Sequence, residues 1–109
     1  AFYECPSLRR VKMPGVKIVE AWALHGCRAL RYVECGKLER IGRWAFRVSE
    51  SLRSINLPSV KIVEECAFWD CKGLTDVKFG DKLEKIEKRA FYGCESLERN
   101  RHPVEPSHL

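Results

Sequence analysis

No stretch of this chain approaches the roughly 18 consecutive apolar residues that a membrane-spanning helix needs, so no helical membrane span is expected. Several marks of chemistry are also absent. The chain has no G-x-S-x-G, no phosphate-binding glycine loop and no H-E-x-x-H, which removes the usual signatures of serine hydrolases, P-loop nucleotide enzymes and zinc peptidases. Histidine is scarce and scattered: His25 stands apart from His102 and His108. The six cysteines form no C-x-x-C pair and no set with tetrahedral ligand spacing, so no metal is expected. A Cys27/His25 dyad is disfavoured, because residues two apart on a turn do not face each other. These absences lead to the expectation of a protein that is not an enzyme and uses no cofactor.

What the chain does contain is a repeat. An Ala-Phe or Ala-Leu pair recurs at Ala1, Ala23, Ala45, Ala67 and Ala90, at spacings of 22, 22, 22 and 23 residues. In register, each pair leads to Cys5, Cys27, Ser49, Cys71 or Cys94, and then to Leu8, Leu30, Leu52, Leu74 or Leu97. Val11, Val33, Ile55 and Val77 follow, then Met13, Cys35, Leu57 and Phe79, and the fifth copy breaks at Asn100. A second apolar pair closes each unit, from Val16 and Val19 to Leu83 and Ile86. A fixed period of this length means stacked coils that share one continuous core. The pattern gives an array over 1–99 (units 1–22, 23–44, 45–66, 67–89 and a partial 90–99), followed by an irregular tail at 100–109.

The unit Leu-x-x-Φ-x-Φ, where Φ is apolar, ends in a period-two alternation, which predicts a strand with one buried face. Pro14, Gly36, Pro58 and Gly80 stand just after these strands and end them. The second apolar pair is too short for a helix and predicts a brief second strand. The Ala-Phe-x-x-Cys stretch predicts one turn of 3₁₀ or α-helix. The extra residue of the fourth unit is expected in a turn at Gly80-Asp81.

With these residues in register, the chain resembles the BspA-type leucine-rich repeat family, whose unit is close to Ala-Phe-x-x-Cys-x-x-Leu-x-x-Ile-x-Leu-Pro-x-x-Leu-x-x-Ile. The best match runs from Ala45-Phe46 through Leu57-Pro58 to Val63, with Ser49 in place of the cysteine. The resemblance implies an α/β class, mostly β with short helical turns: a right-handed, curved solenoid with a parallel sheet on its concave side. It also implies an extracellular or cell-surface setting and a part in adhesion or protein binding. Ala1 falls at a repeat boundary and no methionine or signal peptide opens the chain, which suggests a piece of a longer array, a processed chain or a designed segment.

Cys5, Cys27, Cys71 and Cys94 share one repeat position, and Ser49 in the gap shows that the site takes a small side chain. They are read as buried, reduced thiols, because stacked side chains point the same way and fit the disulfide dihedral poorly. Cys35 takes a strand core position and Cys66 the place of Trp22 and Trp44. His25 is read as a solvated turn residue.

Function must then reside on the surface. The strand residues expected to face away from the core are Arg9, Arg10 and Lys12, then Arg31, Tyr32 and Glu34, then Arg53, Ser54 and Asn56, then Thr75, Asp76 and Lys78, and finally Glu98 and Arg99. Stacking would place Arg9, Arg31 and Arg53 side by side about 5 Å apart. Like charges so placed invite an offset from Glu34 or from an acidic partner. Tyr32 is the candidate anchor, since tyrosines and arginines dominate binding hot spots. The first two units carry net charges of +2 and +3, the next two 0 and +1, and residues 90–109 carry −1. Such a gradient suits an acidic protein surface or a sulfated glycan. Nucleic acid is disfavoured because Lys82, Lys85 and Lys88 alternate with Asp81, Glu84 and Glu87.

The expected function is therefore a non-enzymatic protein-binding module that uses the concave face, with polyanion or glycan binding and a structural or designed scaffold as alternatives. The units also alternate: Lys-Ile-Val-Glu recurs at Lys17 to Glu20 and Lys61 to Glu64, while Lys37 to Ile41 resembles Lys82 to Ile86, so a pair of coils is the larger unit. Ile18 and Ile62 in the first and third units could stand exposed on the back. An uncapped N-terminal end is expected to self-associate end to end.

Overall fold

A computed structural model describes residues 5–99 of the chain. The Ala1-Phe2 pair and the tail at 100–109 lie outside the described residues. Each Leu-x-x-Φ-x-Φ segment yields a short front strand: β1 (Arg10–Lys12), β3 (Tyr32–Glu34), β5 (Ser54–Leu57) and β7 (Asp76–Phe79). Each second apolar pair yields a two-residue back strand: β2 (Ile18–Val19), β4 (Arg40–Ile41), β6 (Ile62–Val63) and β8 (Lys85–Ile86).

All pairings are parallel and join equivalent repeat positions. Val11 lies opposite Val33 and Ile55 opposite Val77. On the back, Val19, Ile41, Val63 and Ile86 align in one four-stranded sheet. The extra residue of the fourth unit lies between β7 and β8, because Leu57 pairs Phe79 while Val63 pairs Ile86. Gly80 stands in that stretch, where a Cβ would lie 2.1 Å from the Pro58 carbonyl oxygen.

The repeat positions pack on themselves from coil to coil. Phe46 stacks on Phe68 and Phe68 on Phe91, with centroids 5.0 Å apart in both pairs and interplanar angles of 3° and 7°. Leu30, Leu52, Leu74 and Leu97 are buried beside them. Such ring pairs add about 1 kcal/mol each beyond the apolar area they hide.

The Ala-Phe-x-x-Cys segments are turns rather than the predicted turn of helix. Along Trp22 to Cys27, alternate amides leave the coil: Trp22, Leu24 and Gly26 donate to Arg43, Ala45 and Arg47 of the next coil at 3.0, 2.8 and 2.9 Å. Ala23, His25 and Cys27 donate backward to Glu20, Trp22 and Leu24. A helix would turn every amide onto its own coil, so the inter-coil ladder excludes it. Two left-handed residues per coil make this path possible: Trp22, Trp44, Cys66 and Arg89 at one position, and Gly26, Val48, Asp70 and Gly93 at the other.

The fifth copy departs from the strand expected at Glu98 and Arg99. It forms α1 (Glu95–Arg99), the only helix among the described residues. Asn100 stands where the other copies carry Val or Ile, so no apolar side chain draws this segment into a strand against the core.

The front face differs from the expected sheet in a second way. It is split into two pairs, β1 with β3 and β5 with β7, whereas the back sheet runs unbroken through all four coils.

Candidate binding face

Alternation along the front strands turns Val11, Val33, Ile55 and Val77 into the core and their neighbours outward. Arg9, Arg10, Lys12, Arg31, Tyr32, Arg53, Asn56 and Lys78 are exposed on this face, and Glu34 and Asp76 are half-buried. Tyr32 is 42% exposed, and the Arg10 guanidinium carbon lies 5.3 Å from its ring centroid. A cation over a ring face is worth about 0.5–1 kcal/mol at an exposed site, enough to bias the ring toward this pose.

The arginine ladder forms between its first two members, where Arg31 N–H donates to Arg9 O at 2.8 Å. Between Arg31 and Arg53 the split intervenes. No carboxylate among the described residues pairs with Arg9, Arg31 or Arg53, and Glu34 does not supply the expected offset. Asp76 reaches Lys78 at 4.0 Å.

The split has a definite geometry. The closed ladder carries Met13 N–H to Glu34 O at 2.7 Å. At the equivalent place in the next coil, Asn56 O instead receives the Cys35 thiol at 3.7 Å. No backbone hydrogen bond joins β3 to β5 among the described residues. Coils two and three nevertheless remain bonded on the back, where Ile41 lies opposite Val63, and along the turns, where Leu24 donates to Ala45. The opening is thus a wedge. A cavity of about 330 Å³ lies in it, with Tyr32, Glu34, Ser54 and Asn56 at the mouth and Val33, Cys35 and Ile55 in the wall.

A second surface escaped the sequence reading. Trp22 stacks on Trp44 (5.4 Å, 15°), Trp44 leans on Trp69 (5.1 Å, 54°), and Trp69 stacks on Tyr92 (4.2 Å, 24°). The column is half-buried in its middle and exposed at its ends, with Trp22 at 42% and Tyr92 at 44%. It was hidden because Trp22 and Trp44 occupy one repeat position, whereas Trp69 and Tyr92 occupy the position of His25 and Arg47. His25 itself is buried, 9% exposed, with its ring edge-on to Trp22 at 5.2 Å, which corrects the solvated reading. Ile18 is 56% exposed, while Ile62 is half-buried.

None of the six cysteines is in a disulfide. Cys71 and Cys94 donate to the carbonyls of Phe46 and Phe68 at 3.0 Å each. Burial pushes the Cys27, Cys66 and Cys71 thiols above their ordinary value of 9.0, and Cys35 to about 11. A thiol held protonated in this way is a poor nucleophile and metal ligand, and no cluster of metal-binding side chains occurs among the described residues. No helix among them is long and apolar enough to cross a membrane.

Short parallel strands stacked coil upon coil, with a leucine at a fixed place in each turn, define a leucine-rich repeat solenoid. The chain belongs to the family described as BspA type leucine rich repeat region, which matches residues 1–105 in six copies. Its fold is similar to the crystal structure of a leucine-rich repeat protein from Bacteroides ovatus, with a TM-score of 0.81 and 31% sequence identity over 98% of this chain. The chain spans 30% of the length of that protein. Comparison with curated proteins gives no match.

Proposed function

We propose that this chain is a non-enzymatic recognition module that binds a protein partner through the front face, with Tyr32 as anchor and Arg9, Arg31 and Arg53 as the charged surround. The observation that carries this reading is the pose of Tyr32. The ring is 42% exposed and capped by Arg10, on a strip whose arginines have no carboxylate partner among the described residues. A tyrosine has only two side-chain torsions and loses little entropy when it is covered, and unpaired arginines hold binding capacity in reserve. Family membership supports an adhesive role at a cell surface.

Partner capture by wild type, Tyr32→Ala, the combined Arg9→Gln, Arg31→Gln and Arg53→Gln variant, and the back-face variant Lys61→Ala tests the reading. A partner kept by Lys61→Ala and lost by the front-face variants supports it; equal recovery by all four sinks it. The arginine strip also favours a second reading, a sulfated glycan as ligand. In that case binding would collapse with added salt and be indifferent to Tyr32→Ala.

A further inference from the structure

We propose that the seam between β3 and β5 is a binding cleft for a carboxylate, carried by an acidic segment of the protein partner. This rests on the reading of the front face as a recognition surface and says which group enters it, and where.

Amides at equivalent positions in successive coils do not all find the same partner. Arg31 and Tyr32 N–H both donate to Arg9 O, at 2.8 and 3.2 Å. Thr75 and Asp76 N–H both donate to Arg53 O, at 2.8 and 3.4 Å. Arg53 and Ser54 occupy the same place between these pairs, and neither donates to Arg31 O. The wedge therefore leaves two adjacent backbone N–H groups directed into an opening. Two adjacent N–H groups with no backbone acceptor opposite present a pair of donors to an anion.

Apart from Glu34 at the mouth of the seam and Glu50, the charged side chains around these amides are basic. A cavity of about 390 Å³ beside them is lined by Arg31, Arg53, Ser51 and Glu50. Glu50, the one carboxylate in that wall, is engaged by Arg28 at 3.4 Å. Arg31 O, freed by the same opening, is a backbone acceptor opposite these amides. Two amides, two guanidinium groups and the Ser51 hydroxyl outweigh it. Charge-assisted bonds from such donors are about twice as strong as neutral ones.

The shape of the slot favours a carboxylate over a sulfate. Coils two and three stay bonded on the back and along the turns, so the slot narrows inward. A planar group with two oxygens enters edge-on and matches both the paired amides and an arginine fork. A sulfate ester on a sugar presents a tetrahedral cone of three oxygens instead of a flat edge.

An amide-resolved NMR titration of the whole chain tests the proposal, using a capped heptapeptide rich in glutamate, its glutamine counterpart and a sulfated heparin disaccharide as probes. The glutamate peptide is expected to shift the Arg53 and Ser54 amides and slow their hydrogen exchange, leaving Thr75 and Asp76 unmoved. The combined Arg31→Gln and Arg53→Gln variant should bind it at least tenfold more weakly, and Glu50→Gln several-fold more tightly. Signals of Phe46 and Phe68 report that both variants keep the core. Shifts confined to other residues, equal binding of the glutamine peptide, tighter binding of the disaccharide at these amides, or no binding would each overturn the proposal. Tyr32-dependent capture without seam shifts would sink the seam alone and leave front-face recognition standing. Loss of Tyr32 dependence would strike the broader reading instead.

Discussion

The thiol of Cys71 donates to the carbonyl oxygen of Phe46 at 3.0 Å, linking the third coil to the fourth inside the core. Cys94 repeats the bond to Phe68 one coil on. The cysteine position is thus a column of hydrogen-bond donors as well as of small side chains. Ser49 stands in the same column fully buried, and its hydroxyl has no hydrogen-bond partner among the described residues.

Ser49→Cys is therefore expected to stabilise the fold. It exchanges an unsatisfied buried hydroxyl, which costs about 1–3 kcal/mol, for a larger, less polar atom able to make the column's bond. A gain of about 1 kcal/mol in urea unfolding is the expected result, and a loss would show that the third coil packs its turn differently from its neighbours.

Val48 and Gly93 share a repeat position and the left-handed backbone, at φ 63° and 77°. That conformation costs a residue with a Cβ about 1–2 kcal/mol, and a β-branched one is a clear outlier there. Val48→Gly should raise stability by about 1 kcal/mol. Gly93→Ala should lower it by about 1–2 kcal/mol, because it puts a Cβ on a left-handed residue, while the nearby Asp70 carboxylate can swing aside. Opposite shifts in melting temperature are the expected readout.

Trp44 has aromatic neighbours on both sides, Trp22 at 5.4 Å and Trp69 at 5.1 Å. Trp44→Ala removes two ring contacts and part of the cover over the turn edge, with an expected cost of about 2–3 kcal/mol. Tyr92→Ala, at the exposed end of the column, should cost less. Chemical denaturation of both variants checks the order.

Alkaline pH should weaken the fold through the buried thiols. Burial raises the Cys35 pKa from 9.0 to about 11, so the folded state holds its proton longer than the unfolded chain does. Its contribution is complete below pH 9 and is lost as pH climbs toward 11, at most about 3 kcal/mol for this group. Melting temperatures between pH 7 and 11 should fall in that window, and Cys35→Ala should flatten the decline.

The repeat by itself determined the coil, the buried set and the outward residues. Identical side chains at a fixed period can only stack on themselves, so Phe46, Phe68 and Phe91 form one column, and Leu52, Leu74 and Leu97 lie buried beside it. Alternation then decided which strand residues face outward, Tyr32 among them. The pairing of units was also legible, because the first and third share one motif and the second and fourth another.

Where the ladders hold and where they open was set by the packing of coil on coil. Whether a backbone amide finds the next coil depends on differences below an ångström in how coils tilt, and no residue type announces these. The front sheet parts between β3 and β5, at the boundary between the two coil pairs, while the back sheet stays closed. The aromatic column likewise crosses from one repeat position to another, from Trp44 to Trp69, a path that a strict period conceals. The turns are not helical for the same reason: their amides are claimed by the neighbouring coil, and a single unit does not contain its neighbour.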